Sequence, residues 1–96
     1  MNKFIILIPV FNDWQSVSKL LDELNKNLNN SKYKISIFIV DDASKDQTPK
    51  FDINIENINS FKIIHLAKNG GSTRAIISGL KYIFEKEEFD YVIPMD

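Results

Sequence analysis

The chain contains no cysteine, which excludes disulfides, thiolate metal sites and cysteine nucleophiles and is compatible with a reducing cytoplasm. It also lacks any run approaching the roughly 20 apolar residues of a membrane span. The apolar opening Lys3-Phe4-Ile5-Ile6-Leu7-Ile8 is interrupted at Pro9 and Asn12, with no small-residue cleavage site behind it, so it does not read as a secretory signal. Basic clusters are missing as well. The net charge is -1 and the lysines are spread from Lys3 to Lys86, which leaves no cationic stripe for a nucleic-acid backbone. Arginine occurs once, at Arg74, and histidine once, at His65. There is no internal repeat, linker or low-complexity segment.

What is present is one small domain of 96 residues, 44% apolar and 26% charged, in the range of soluble globular chains. A chain of this length buries roughly 60 to 70% of its unfolded surface, enough to fold alone with little margin. Residues 3 to 10 are continuous and rich in Ile, the pattern of a parallel strand covered on both faces. Asp13 is placed to cap a helix whose Val17, Leu20, Leu21, Leu24 and Leu28 form one apolar stripe, and Asn29, Asn30 and Ser31 end it. Residues 33 to 41 form a second strand. Thr48-Pro49 reads as an N-cap followed by proline at the first helical position, which predicts a short or irregular helix over 51 to 58. Phe61 to Leu66 is a third strand and Gly70-Gly71-Ser72 a turn. A second long helix runs from Thr73 to Phe84 with Ile76, Ile77, Leu80, Ile83 and Phe84 inward, and a fourth strand covers Tyr91 to Met95.

Strands alternating with helices imply an α/β fold with right-handed crossovers. We expect a Rossmann-like parallel sheet of about four strands in the order 3-2-1-4, with helices on both faces. Ligands in such sheets bind beyond the carboxyl ends of the strands, where the winding reverses. The unusual polar groups of this chain lie at those ends: Pro9 to Asp13, Asp41-Asp42 and Asp96. With strand one between them, the tips of strands two and four stand roughly 10 Å apart, about the length of a nucleoside.

Each of these groups also has a plainer reading. Asp41 and Asp42 are adjacent on an extended segment, so their side chains point to opposite sides and do not converge on one ion. One of them suits hydrogen bonds from a ring N–H or sugar hydroxyls, while Asp41 to Asp46 would equally serve as a solvated turn. Asn69-Gly70-Gly71-Ser72-Thr73-Arg74 precedes a helix, where free N–H groups favour an anion. Paired glycines are equally common in structural turns, and the spacing fits neither a Walker loop nor the dinucleotide fingerprint. Arg74 can reach a diphosphate or a base, or stand on the helix surface. Phe11 can stack on a flat ring or join the core. His65 and Trp14 read as structural, the latter packing the first helix against the sheet edge.

In combination these segments resemble the nucleotide-binding half of glycosyltransferase family 2, with the GT-A fold, over essentially the whole chain. The marks are Ile8-Pro9-Val10-Phe11-Asn12-Asp13, Val40 to Thr48, Asn69-Gly70-Gly71 with Ala75 and Gly79, and Pro94-Met95-Asp96. The resemblance implies binding of a nucleotide-diphosphate sugar by Pro9, Val10, Phe11, Asp13, Asp41, Asp42, Gly71, Arg74 and Asp96. In it, Phe11 and the Pro9-Val10 backbone cradle the base, Asp42 bonds its ring N–H, and Asp41 supports the loop. Asp96 matches the first acid of the family's DxD motif, which holds the ribose and, through its last Asp, a Mn²⁺ or Mg²⁺ ion on the donor diphosphate, hard cations suited to oxygen ligands. Where many members carry Arg-Asn after the alanine, this chain has Ile76-Ile77, and Arg74 precedes Ala75.

The implied reaction is inverting sugar transfer to an acceptor hydroxyl or lipid phosphate, in cell-envelope polysaccharide or glycolipid synthesis. The resemblance implies that the acceptor half and catalytic base are expected beyond residues 1 to 96, so no catalytic residue is expected among them and the fragment alone is expected to be inactive. The implied location is the cytoplasm, at the membrane's cytoplasmic face in a longer form. Two other classes share parts of this pattern. A sugar-nucleotide nucleotidyltransferase carries a loop like Gly70-Gly71-Ser72-Thr73-Arg74, but after its first strand. A receiver-type signalling module places its acidic pair after strand one and a phospho-accepting Asp after strand three, where this chain has His65-Leu66-Ala67-Lys68. A single helix on one sheet face predicts an exposed apolar patch and edge, and self-association through them.

Overall fold

The computed structural model describes residues 2–28, 33–51, 58 and 60–95. Its elements are β1 (Lys3–Val10), α1 (Trp14–Asn27), β2 (Lys34–Asp41), β3 (Ser60–His65), α2 (Ser72–Lys86) and β4 (Tyr91–Pro94). All strand pairs are parallel and the order is β3-β2-β1-β4, as the alternation of elements implied. The short helix expected over 51 to 58 falls mostly on residues outside those described, as do the helix-ending residues 29 to 31.

β1 is buried on both faces because its neighbours sit on both faces. Ile6, Ile8 and Val10 join Ile35, Ile37, Ile39 and the α1 residues Trp14, Val17 and Leu21 in one core. Ile5 and Leu7 join Phe38, Val40 and the α2 residues Ala75 and Ile83 in the other. Each fully buried Leu or Ile contributes about 1.5–3 kcal/mol, so the central strands are the most strongly fixed part of the chain. Asp13 caps α1, its carboxylate accepting from the Ser16 N–H (3.3 Å) and hydroxyl (2.7 Å), and Lys26 lies in the last turn, where the helix dipole favours a cation.

The orientation of α2 differs from the periodicity expectation. Its buried line is Ala75, Gly79 and Ile83, whereas Ile77 is 60% and Phe84 68% exposed. The reason is Gly79. A Cβ there would lie 2.6 Å from Val40 Cγ2 and 2.7 Å from Leu7 Cδ1, so the helix approaches the sheet along its smallest residues and turns the larger ones outward. Apolar residues at four-residue spacing mark a helix, but small ones mark its contact line. Ile76 and Leu80 are partly buried at the flanks.

β4 is a short edge strand set back from the tip of β1, its Pro94 opposite Leu7. Tyr91 (55%) and Ile93 (42%) stay exposed on it, Tyr91 stacking on Phe4 at 5.0 Å.

Two outcomes follow from this packing. Gly79→Ala gains about 1 kcal/mol of helix propensity but overpacks Leu7 and Val40 at about 1–3 kcal/mol. Thermal unfolding should therefore shift down by several degrees, and a rise in Tm would contradict the close approach. The uncovered β4 edge should give concentration-dependent self-association in sedimentation velocity, weakened by Ile93→Lys. A monomer at every concentration would reject it.

Candidate functional site

The site is built from three loops at the carboxyl ends of β1, β2 and β3. After β1 the chain turns at Asn12, whose φ of 62° lies in the left-handed region that Asn tolerates better than most residues. The Asn12 N–H donates to Ser44 Oγ at 2.8 Å. Its Oδ1 accepts from the N–H groups of Lys45 (2.7 Å) and Asp46 (3.1 Å). The loop after β1 is thereby tied to the loop after β2, where Ala43 also has a positive φ of 59°.

Asp42 connects these two loops to the third. Its N–H donates to the Val10 carbonyl at 2.8 Å. Its carboxylate accepts from two consecutive backbone donors, Gly70 N–H on Oδ1 and Gly71 N–H on Oδ2, each at 2.9 Å. Asn69 Nδ2 adds a bond to the Asp42 carbonyl at 3.2 Å. Asp42 is only 2% exposed; a buried carboxylate without donors would be strongly disfavoured. The pinch requires Gly71 to adopt φ 90°, ψ 164°, a region essentially reserved for glycine.

Asp41 faces the other way, as expected for neighbours on an extended segment. Its Oδ1 accepts from the Ser44 N–H at 2.9 Å and its Oδ2 lies 2.8 Å from His65 Nδ1. The β2–β3 register puts Asp41 directly opposite His65. Burial pushes the Asp41 carboxyl upward, but hydrogen bonds from Ser44 and His65 and the charge of His65 outweigh it and hold the group below its ordinary value.

These loops enclose a cleft of about 130 Å³ lined by Pro9, Val10, Phe11, Asp42 and Ser72. Four of the residues singled out from sequence thus meet in one place, with Phe11 45% exposed at its rim. Gly71 is tied to the same cleft through Asp42. Asp41 supports the loop from behind. Asp13 borders a separate groove with Ile8, Pro9, Val10, Ser16, Val17 and Leu20, engaged as the α1 cap. Arg74 lines another hollow, with Leu66, Ala67, Lys68 and Ser78. Asp96 lies outside the described residues. Sequence reasoning missed Ser72 as a lining residue, the interlocking role of Asn12 and Ser44, and the pairing of His65 with Asp41. The last had a usable signal, since both residues end adjacent strands.

Comparison with known proteins gives a consistent answer. The profile described as glycosyl transferase family 2 matches residues 5–96. An undecaprenyl-phosphate 4-deoxy-4-formamido-L-arabinose transferase of Proteus mirabilis is 32% identical over 99 residues, covering 100% of this chain and 29% of that protein. An uncharacterized glycosyltransferase of Synechocystis is 33% identical over 92 residues, covering 95% of this chain and 28% of that protein. An uncharacterized protein of Methanocaldococcus jannaschii is 32% identical over 95 residues, covering 96% and 38%. The chain therefore spans well under half the length of these relatives. No solved structure matches it.

The Asp41 contacts make a pH prediction. Because its pKa is depressed in the folded state, its contribution is full above the unfolded value of about 3.9 and is lost as pH falls through the lower folded value. Asp41→Asn should cost about 1–3 kcal/mol at neutral pH by weakening the bonds to Ser44 and His65. It should also flatten the decline in stability below about pH 4. Denaturant melts across pH check this, and parallel acid limbs in the two proteins would overturn it.

Proposed function

This chain belongs to glycosyl transferase family 2, and on that footing we propose that it is the donor-binding portion of a sugar transferase. The observation that carries the reading is the cleft at the carboxyl ends of β1 and β2, lined by an exposed aromatic, Phe11, and a buried carboxylate, Asp42. An aromatic face and a carboxylate acceptor are the two features that recognise a nucleobase, one by stacking and the other by bonding a ring N–H. Both Asp42 oxygens already accept one N–H each, and each retains a second lone pair. The family assignment decides against the nucleotidyltransferase and receiver-type readings.

In this proposal the donor is a nucleotide-diphosphate sugar. Phe11 stacks on the base, Pro9 and Val10 line its side, and Asp42 orients it while the Gly70-Gly71 loop closes one end. Ser72 offers a hydroxyl at the same cleft. Transfer proceeds with inversion to a hydroxyl or a lipid phosphate, and the names of the undecaprenyl-phosphate transferases favour the lipid phosphate. The setting is cell-envelope glycan or glycolipid synthesis at the cytoplasmic face of a membrane; no described helix is long and apolar enough to cross one. Mn²⁺ or Mg²⁺ enters the proposal only through Asp96. Among the described residues no three His, Cys, Asp or Glu side chains gather as a metal site.

Calorimetric titration of this chain and of a longer form with UDP, GDP and dTDP, with and without Mn²⁺, tests the reading. One of the three should bind. Phe11→Ala should weaken that binding about tenfold, the loss of one base-stacking contact of roughly 1–3 kcal/mol, with no fall in Tm because Phe11 is half exposed. Binding of no nucleotide by either form would sink the proposal.

A further inference from the structure

α2 presents two chemically different lines. The inner one, Ala75, Gly79 and Ile83, is buried against the sheet. The outer one is Arg74, Ile77, Lys81 and Phe84, spaced i, i+3, i+7 and i+10 and exposed throughout, with Ile77 at 60% and Phe84 at 68%. Cation and large apolar side chain alternate along it, the two apolar residues about 10 Å apart on the axis. At the amino end of this line lies a hollow of about 270 Å³ lined by Leu66, Ala67, Lys68, Arg74 and Ser78. A Cβ on Gly70 would collide with Arg74 Cδ, and Gly70 is not in a left-handed conformation. Its missing side chain therefore leaves room for the arginine stem to lie across the loop toward this hollow.

The charge of this region is segregated. The chain carries -1 overall, yet residues 57 to 84 contain Lys62, Lys68, Arg74 and Lys81 and no Asp or Glu. Lys62 is engaged by Glu87 at 3.3 Å. Lys68, Arg74 and Lys81 form no ion pair among the described residues. Glu85, exposed and one turn beyond Lys81 on the same side of α2, places one carboxylate at the carboxyl end of this face.

We propose that the outer face of α2, with the Lys68–Arg74 hollow, docks on the surface of an anionic lipid bilayer. Lys68, Arg74 and Lys81 meet headgroup phosphates, and Ile77 and Phe84 enter the boundary between headgroups and acyl chains. Interfacial helices have this character, with Lys or Arg beside Phe and aliphatic residues. A nucleic acid would use the cations but leave two large apolar side chains in contact with phosphate and water. A protein partner would need a groove to receive a convex ridge, whereas a bilayer surface yields to it. The surface is separate from the nucleotide cleft, so its test does not depend on the donor-binding reading.

The experiment is vesicle co-sedimentation of the 96-residue chain. Phosphatidylcholine vesicles should bind it weakly. Vesicles containing phosphatidylglycerol should bind it well, and the binding should fall as salt is raised. Lys68→Gln with Lys81→Gln should weaken binding about 25-fold, about fivefold for each charge near the surface. Lys19→Gln with Lys26→Gln on α1, the same change in net charge, should leave it nearly unchanged. Phe84→Ser should weaken vesicle binding several-fold without altering binding to heparin, with thermal melts confirming that each variant folds. Equal losses for the two lysine pairs would overturn the proposal by reducing it to net charge. A Phe84→Ser protein that binds vesicles as wild type would make the face a simple polyanion site. A dimer dissolved by Phe84→Ser would assign the face to a second copy of the chain.

Discussion

The contact on which the rest of the site depends is the carboxylate of Asp42 gripping two successive N–H groups from the loop before α2. A carboxylate that is 2% exposed must be supplied with donors, or folding loses more than one ordinary hydrogen bond contributes. Here the donors are backbone atoms, and backbone donors cannot be repositioned without moving the chain. Satisfying Asp42 therefore fixes where α2 begins. It also fixes the tip of β1, because the same residue's N–H bonds the Val10 carbonyl. One residue thus sets the relative positions of Val10, Phe11 and Ser72, the walls of the cleft.

Two non-glycine residues in left-handed conformation, Asn12 and Ala43, flank this joint. Each such conformation costs roughly 1–2 kcal/mol, and it persists only where surrounding bonds over-determine it. Those bonds form a continuous chain: Asn12 to Ser44, Ser44 to Asp41, Asp41 to His65. The tips of β1, β2 and β3 are locked in series, which gives the cleft a preformed shape. A preformed site loses less conformational entropy on binding than one ordered by its ligand.

The architecture was legible because it rests on local signals. Continuous Ile-rich runs marked the buried strands, a leucine stripe marked α1, and the strand–helix alternation left few topologies. The cleft was half legible: Pro9, Val10, Phe11 and Asp42 stood at strand tips, where a parallel sheet places its ligands. What escaped was carried by long-range contacts. The partners of Asp42 lie 28 and 29 residues away, and nothing local shows that a loop will return to it. The facing of α2 was misread for a different reason. Counting large apolar residues weighted Ile77 and Phe84, whereas the contact line was set by Gly79 and Ala75, whose small size permits the closest approach. Burial follows the tightest packing available, and in a helix lying flat on a sheet that favours small residues at the contact.

The paired glycines show how one dipeptide can carry two unrelated constraints. Gly71 is needed for its backbone, since its φ and ψ would strain any residue with a Cβ, while the space around it is open. Gly70 is needed for its space, since its backbone is ordinary but a Cβ would displace the stem of Arg74. The first constraint acts on the cleft through Asp42 and the second on Arg74, which lines the cationic hollow. Reading Gly-Gly as one phosphate-binding signal would merge them. The geometry separates them, so substitution at Gly71 acts on the joint that shapes the cleft and substitution at Gly70 acts first on the placement of the only arginine. The same short loop therefore borders two surfaces of different chemistry.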